Sequence, residues 1–340
     1  MELAGGSRWS PAGAPRGDHG MAEDARCEDG NQPGSGRMEV PMARTRCTRS
    51  GDSARSGWLS GQPTRTRRIG PSPRVGDVSN RLAVVTGASR GIGRALTQRL
   101  TSTGMTVAAI GRTSSDLDQV AQETGAYPFV LDVRDPAAVE DAFGRIAVEH
   151  GVADLLVNNA GISGGSGLTW DVAPEAWWQV LEINVRGTYL CSRAVLPGML
   201  ERGSGRIINL SSGAATFPIG LDNDGTLTSA YMASKAAVNR FTEALAGECF
   251  ASGVRVFAMS PGMVKTDMTA DVFAELWDDD ETWTPIETSL DLITDLDSGM
   301  LDQLSGRYFR AAVDDWRSLA SRADEVIALD TNVLRLADLP

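Results

Sequence analysis

Leu82-Ala83-Val84-Val85-Thr86-Gly87-Ala88-Ser89-Arg90-Gly91-Ile92-Gly93 is the stretch on which the fold turns. Its first four residues form a short apolar run closed by a glycine turn, which reads as a strand buried on both faces. Gly87, Gly91 and Gly93 then follow a G-x-x-x-G-x-G spacing, and a helical pattern continues through Leu100. A glycine turn between a strand and a helix lets backbone amides approach a pyrophosphate at the helix N-terminus. The spacing is not G-x-G-x-x-G and carries no P-loop lysine, which argues against nucleoside triphosphate hydrolysis. A glycine turn without a ligand is the plainer reading of the same residues.

Downstream the pattern repeats. Apolar runs at 105–110, 127–131, 154–157, 206–210 and 254–259 alternate with helical stretches. The helices are expected at 114–124, after Asp135-Pro136 (Pro being favoured in a first turn), at 174–201 and at 230–250. Strands apolar throughout, alternating with helices of ten or more residues, make a parallel sheet covered on both sides. The expectation is a Rossmann-like, doubly wound α/β domain of about seven strands, the last at 305–309. A terminal helix is expected over 314–336.

Charge divides the chain near Asp77. Residues 1–77 hold 12 Arg and 9 Asp/Glu, whereas 78–340 hold 20 Lys/Arg and 35 Asp/Glu. The first segment is rich in Gly, Ser, Pro and Arg without apolar periodicity, and is expected to be a disordered extension. The domain is assigned to 78–340. An acidic body without a basic stripe argues against nucleic acid or an anionic membrane as partner. No apolar run reaches membrane-spanning length. Cys27, Cys47, Cys191 and Cys249 lack metal-ligand spacing, so no metal site is expected, and the thiols fit a reducing, cytoplasmic setting.

Two further features carry chemistry. Some twenty residues past the glycine turn, a carboxylate would hydrogen-bond a ribose 2′-hydroxyl; the chain instead reads Gly111-Arg112-Thr113. Arg112, with Arg90 as a second cation, suits a 2′-phosphate, so NADP(H) is expected over NAD(H), which stays possible. The second is Tyr231-Met232-Ala233-Ser234-Lys235, where the phenol and the ammonium share one helix face. Only two of the chain's 32 basic residues are lysines, Lys235 and Lys265. A cation beside the phenol is expected to lower the pKa of Tyr231 toward the working range of a general acid or base.

Taken together, the 86–93 turn, Asp132-Val133, Asn158-Asn159-Ala160-Gly161, Asn184, Ser211-Ser212, Tyr231-x-Ala-Ser-Lys235 and Pro261-Gly262 resemble the short-chain dehydrogenase/reductase family. The resemblance runs from about residue 80 to 268. It implies an oxidoreductase interconverting a carbonyl and a secondary alcohol. Tyr231 would exchange the proton, Lys235 would tune it and hold the cofactor ribose, and Ser212 (Ser211 as the alternative) would bind the substrate oxygen. Asn184 would complete a proton relay. Cofactor contacts would come from Gly87, Ser89, Arg90, Gly91, Ile92, Gly93 and Arg112, then from Asp132 and Val133 at the adenine. Asn159, Ala160 and Gly161 would meet the adenosine side, and Pro261, Gly262, Val264 and Thr266 the nicotinamide and its phosphate. The partners implied are a small-molecule substrate and further copies of the chain, as a homodimer or homotetramer.

The chain departs from the family at an extra polar segment, 218–228, whose Asp222 and Asp224 could contact a substrate or be solvated. It departs again at 267–303, where a substrate lid is expected. That stretch is acidic, and its Trp277 and Trp283 could wall a pocket or pack the lid to the body. Two other rival readings keep the fold without this chemistry: a nucleotide-binding regulatory protein, and an isomerase or dehydratase.

Overall fold

The computed structural model describes residues 81–217, 225–270 and 272–334. The expected extension at 1–77 and the Asp222 and Asp224 positions lie outside these residues.

The chain from Leu82 builds β1 (Leu82–Thr86), α1 (Gly91–Ser102), β2 (Thr106–Gly111), α2 (Ser114–Thr124), β3 (Tyr127–Val130), α3 (Pro136–His150) and β4 (Leu155–Asn158). It continues with α4 (Pro174–Leu181), α5 (Thr188–Arg202), β5 (Gly205–Leu210), α6 (Ser229–Cys249) and β6 (Val254–Ser260). Then come α7 (Asp267–Ala270), α8 (Ile286–Ser298), β7 (Tyr308–Arg310), α9 (Trp316–Ser321) and α10 (Ala323–Ala328). The seven strands form one parallel sheet in the order β3-β2-β1-β4-β5-β6-β7. The expected doubly wound, single-domain α/β fold is the observed one.

Side chains alternate across the sheet, as strand geometry requires. Ala83 and Val85 pack with Leu96, Leu117, Ile293 and Phe309 on one face. Leu82 and Val84 pack with Phe143, Leu190, Met199 and Leu245 on the other. The helices α1, α2 and α8 therefore cover one side and α3, α5 and α6 the opposite side. β3 lies on one side of β1 and β4 on the other. The crevice at the carboxyl ends of β1 and β4 is thus the switch point where such sheets bind ligands.

Four expectations need correction. The helix expected over 174–201 is interrupted by a π-helical segment, Glu182–Gly187, between α4 and α5. The segment expected to be a lid over 267–303 is only partly one. Leu290, Leu292, Ile293 and Leu296 bury α8 against the sheet, so that part is the crossover helix between β6 and β7. The terminal helix breaks at Arg322 (φ −117°, ψ 30°) into α9 and α10. The chain then turns at Asn332 (φ 58°), which exchanges backbone and side-chain hydrogen bonds with Tyr308 on the sheet edge. The seventh strand begins three residues later than expected, because Gly306 (φ +91°) still belongs to the turn before it.

Candidate active site

The glycine turn is built for close approach. Gly87 has φ +64°, and a Cβ there would lie 2.9 Å from Ala160 Cα. A Cβ on Gly93 would collide with the Gly87 carbonyl and come 2.5 Å from Asn159 Nδ2. Helix α1 begins without a side-chain cap and with no acid in its first turn. Its free amides and positive dipole end are therefore left facing the crevice.

Asn159, expected to contact the cofactor on its adenosine side, also holds this turn: its Nδ2 donates to the Thr86 and Gly87 carbonyls at 2.8 and 3.0 Å. Thr86 completes the brace, its Oγ1 accepting from the amides of Asn159 and Ala160, both at 3.0 Å. Sequence reading did not single out Thr86, although its place just before Gly87 was the available signal.

A cleft opens over this turn. Its walls include Gly87, Ser89, Arg90, Gly91, Ile92 and Arg112 on the β1–β2 side and Asp132 and Val133 beside them. Asn159, Ala160, Gly161, Tyr231, Lys235, Pro261 and Thr266 form the other side. The structure thus brings together most of the positions expected to hold a cofactor. Gly93, Gly262 and Val264 stand behind the wall rather than in it. Gly262 (φ +83°) lies so close to Thr284 that no Cβ fits there, and Val264 is buried. Asp132 is fixed by a two-pronged bond from Arg134 at 2.7 and 3.0 Å, which holds its carboxyl below the usual range. Arg112 is exposed at the rim.

Tyr231 stands in the first turn of α6, where Thr228 Oγ1 accepts from its amide and so caps the helix. Its phenol lies near enough to Ser212 for that hydroxyl to lower its pKa. Ser212 starts a single turn of 3₁₀ helix at 213–215. Ser211 instead donates to the Lys235 backbone carbonyl at 3.2 Å. Of the two serines, then, it is Ser212 that bears on the phenol.

Lys235 is buried; its Nζ donates to the Leu210 carbonyl at 2.8 Å and lies 5.6 Å from the centre of the Tyr231 ring. Burial pushes the ammonium down to about 8. Burial also raises the Tyr231 phenol, against a smaller lowering by Ser212. The expected lowering of Tyr231 by Lys235 is therefore reversed here. Desolvation outweighs a cation that is itself turned toward Leu210 and weakened by burial.

Asn184 sits in the π-helical segment and is buried. Its Oδ1 accepts from the Ile162 amide at 2.9 Å, and its Nδ2 donates to the Ile162 carbonyl at 3.0 Å and to Ser234 Oγ at 2.9 Å. Ser234 in turn donates to the Tyr231 carbonyl at 2.7 Å. A Cβ on Gly161 would lie 3.1 Å from Asn184 Oδ1 and 3.6 Å from Lys235 Nζ. Asn184 and Lys235 thus meet behind a glycine. Ser234, between Tyr231 and Lys235 in sequence, was the missed link.

The chain from 81 to 277 matches the family model for short chain dehydrogenases. The chain belongs to the short-chain dehydrogenase family.

Among relatives, a short chain dehydrogenase of Pseudocercospora fijiensis is 38% identical over 208 residues, covering 59% of this chain and 65% of that one. Another, pigC of Monascus ruber, is 35% identical over 280 residues, covering 76% of this chain and 87% of the relative. Two solved structures share the fold. An actinorhodin polyketide ketoreductase with NADPH is 29% identical, with TM-score 0.62, covering 68% of this chain and 95% of that one. A Brucella melitensis 3-oxoacyl-[acyl-carrier protein] reductase with bound NAD is 28% identical, with TM-score 0.61, covering 71% and 95%.

The pocket of this dehydrogenase fits a nicotinamide dinucleotide on its own geometry: a turn that only glycines allow, beside an uncapped helix start. Family members are oxidoreductases. The acidic segment after Thr266 folds around Lys265, whose Nζ pairs with Asp280 at 2.7 Å and lies 5.6 and 5.8 Å from the rings of Trp277 and Trp283. The two tryptophans meet edge-on at 5.2 Å, so they pack this segment on itself. Among the described residues no helix is long and apolar enough to cross a membrane, and no cluster of metal-ligand side chains occurs.

Proposed function

We propose that this dehydrogenase interconverts a small carbonyl compound and its secondary alcohol, with Tyr231 as proton donor and acceptor and NADP(H) as the preferred cofactor. The observation that carries this reading is Tyr231 in the wall of the glycine-lined cleft, with Lys235 Nζ 5.6 Å from its ring and Ser212 near enough to lower its pKa. Bound there, the nicotinamide supplies or accepts the hydride. Everything else is done by this chain's own groups.

Ser212 and Tyr231 present two hydroxyls to one substrate oxygen. Burial keeps the Tyr231 phenol protonated at neutral pH, the form that gives a proton to a carbonyl oxygen as negative charge grows on it. Lys235, pushed down to about 8, is a cation that can return that proton near neutral pH. Asn184 holds the Ile162 backbone and, through Ser234, the Tyr231 carbonyl, which keeps donor and cleft in register. Arg112 and Arg90 at the rim, with no carboxylate at the end of β2, support a 2′-phosphate and hence NADP(H); NAD(H) would be the weaker ligand. Self-association would use α5 and α6, where Tyr189, 47% exposed, meets Phe241 edge-on.

A panel of carbonyls and alcohols, followed by nicotinamide absorbance, tests the proposal. One NADPH consumed per alcohol formed supports it. Conversion without net nucleotide oxidation would assign an isomerase or dehydratase instead. Tight nucleotide binding with no turnover across the panel would favour a regulatory protein.

A further inference from the structure

Arg90 already has an anionic partner. Its Nη1 pairs with Asp267 Oδ2 at 3.1 Å, and both side chains are largely exposed, 66% and 73%. Arg90 stands at the start of α1, in extended conformation just ahead of Gly91. Asp267 opens α7, on the far side of the cleft mouth, and both residues line that cleft. The two segments also touch at Gly91, where a Cβ would lie 3.3 Å from Thr266 Cγ2.

The backbone that carries Asp267 is braced by its own turn. The Thr266 amide donates to Thr269 Oγ1 at 2.9 Å, Thr269 Oγ1 donates to the Val264 carbonyl at 2.8 Å, and the amides of Thr269 and Ala270 both return to the Thr266 carbonyl. Asp267 is thus an exposed anion on a braced backbone, paired across the cleft with the one arginine of the glycine turn.

We infer that Asp267 sets the nicotinamide nucleotide preference by competing with the 2′-phosphate for Arg90. The inference rests on the NADP(H) reading given above and adds a residue to it. Among the described residues no carboxylate forms a salt bridge with Arg112, which stays available to the phosphate, while Arg90 must exchange a carboxylate for it. The bridge therefore lowers a preference that the two arginines would otherwise give in full. A bound pyrophosphate, common to both nucleotides, feels the Asp267 charge in either case. The ratio of the two affinities isolates the part that depends on the 2′-phosphate.

The test uses the full chain and four proteins: wild type, Asp267→Asn, Arg90→Ala and the double variant. NADPH and NADH dissociation constants are measured for each by titration calorimetry. Removing the carboxylate is expected to raise the NADPH preference about three- to fivefold, the upper range for an exposed pair. In the Arg90→Ala background the same change is expected to leave the ratio where it was. An unchanged ratio in Asp267→Asn, or an equal shift with and without Arg90, would overturn the inference. Arg90→Ala separates the two ideas. If that variant lowers the preference while Asp267→Asn does not raise it, competition fails and the NADP(H) reading stands. If Arg90→Ala and Arg112→Ala both leave the ratio unchanged, the NADP(H) reading itself falls.

Discussion

Replacing Lys235 by methionine should abolish activity and stabilise the protein at neutral pH, and the gain should vanish in alkali. Lys235 is buried, and burial takes its pKa from 10.5 to about 8. A lysine whose folded pKa lies below its unfolded value destabilises the fold in full below the folded pKa. The cost fades as pH rises from 8 to 10.5. At 1.36 kcal/mol per pKa unit the cost is about 3 kcal/mol at pH 7 and about 1 kcal/mol at pH 9.5. Methionine fills similar space without the charge but forfeits the Nζ bond to Leu210, returning about 1 kcal/mol. The net gain is about 2 kcal/mol at pH 7, or about 4–8 °C in Tm for a domain of this size. Thermal unfolding of both proteins at pH 7 and pH 9.5, without added nucleotide, reads it directly. The advantage of Lys235→Met should shrink by about 2 kcal/mol between the two. A variant less stable than wild type at pH 7, or a difference that does not change with pH, would refute the assignment of a strained, buried ammonium.

Two further outcomes follow from the cleft. Arg112→Ala is expected to lower the NADPH-to-NADH affinity ratio about tenfold or more, since charge-assisted hydrogen bonds of this type contribute about 1.5–3 kcal/mol; equal ratios in calorimetry would remove the 2′-phosphate argument. Gly93→Ala drives a Cβ into the Gly87 carbonyl, so it should cost about 1–3 kcal/mol of stability by denaturant titration and weaken nucleotide binding; a variant that binds as wild type does would show the turn is not a tight cradle.

Much of this was legible in the sequence because it is local. The apolar run before Gly87 and its repeats give strand and helix order, and parallel pairing follows from buried runs joined by helices. The cleft was legible because the switch point sits where β1 and β4 end. What escaped is what depends on distant partners. The π-helical segment around Asn184 is a one-residue adjustment in a pattern that reads as continuous helix. Its Asn184 pairs with Ile162, 22 residues earlier, a partner that local spacing does not reveal. The burial of α8 was hidden because its acids, Glu287, Asp291 and Asp295, made a core helix read as part of an acidic lid. The pKa of Tyr231 came out reversed because spacing reveals the nearby charge but not the desolvation that opposes it. Ser212 was separated from Ser211 only by the backbone, which turns the Ser211 hydroxyl to the Lys235 carbonyl and leaves Ser212 the nearer influence on the phenol.

The most direct test of the central claim is turnover by Tyr231→Phe, measured beside NADPH binding. With the ring kept and only the hydroxyl removed, kcat should fall about 10²–10⁴-fold, the range for a lost general acid, while NADPH affinity stays within about twofold. Full turnover by Tyr231→Phe on any substrate found would contradict it.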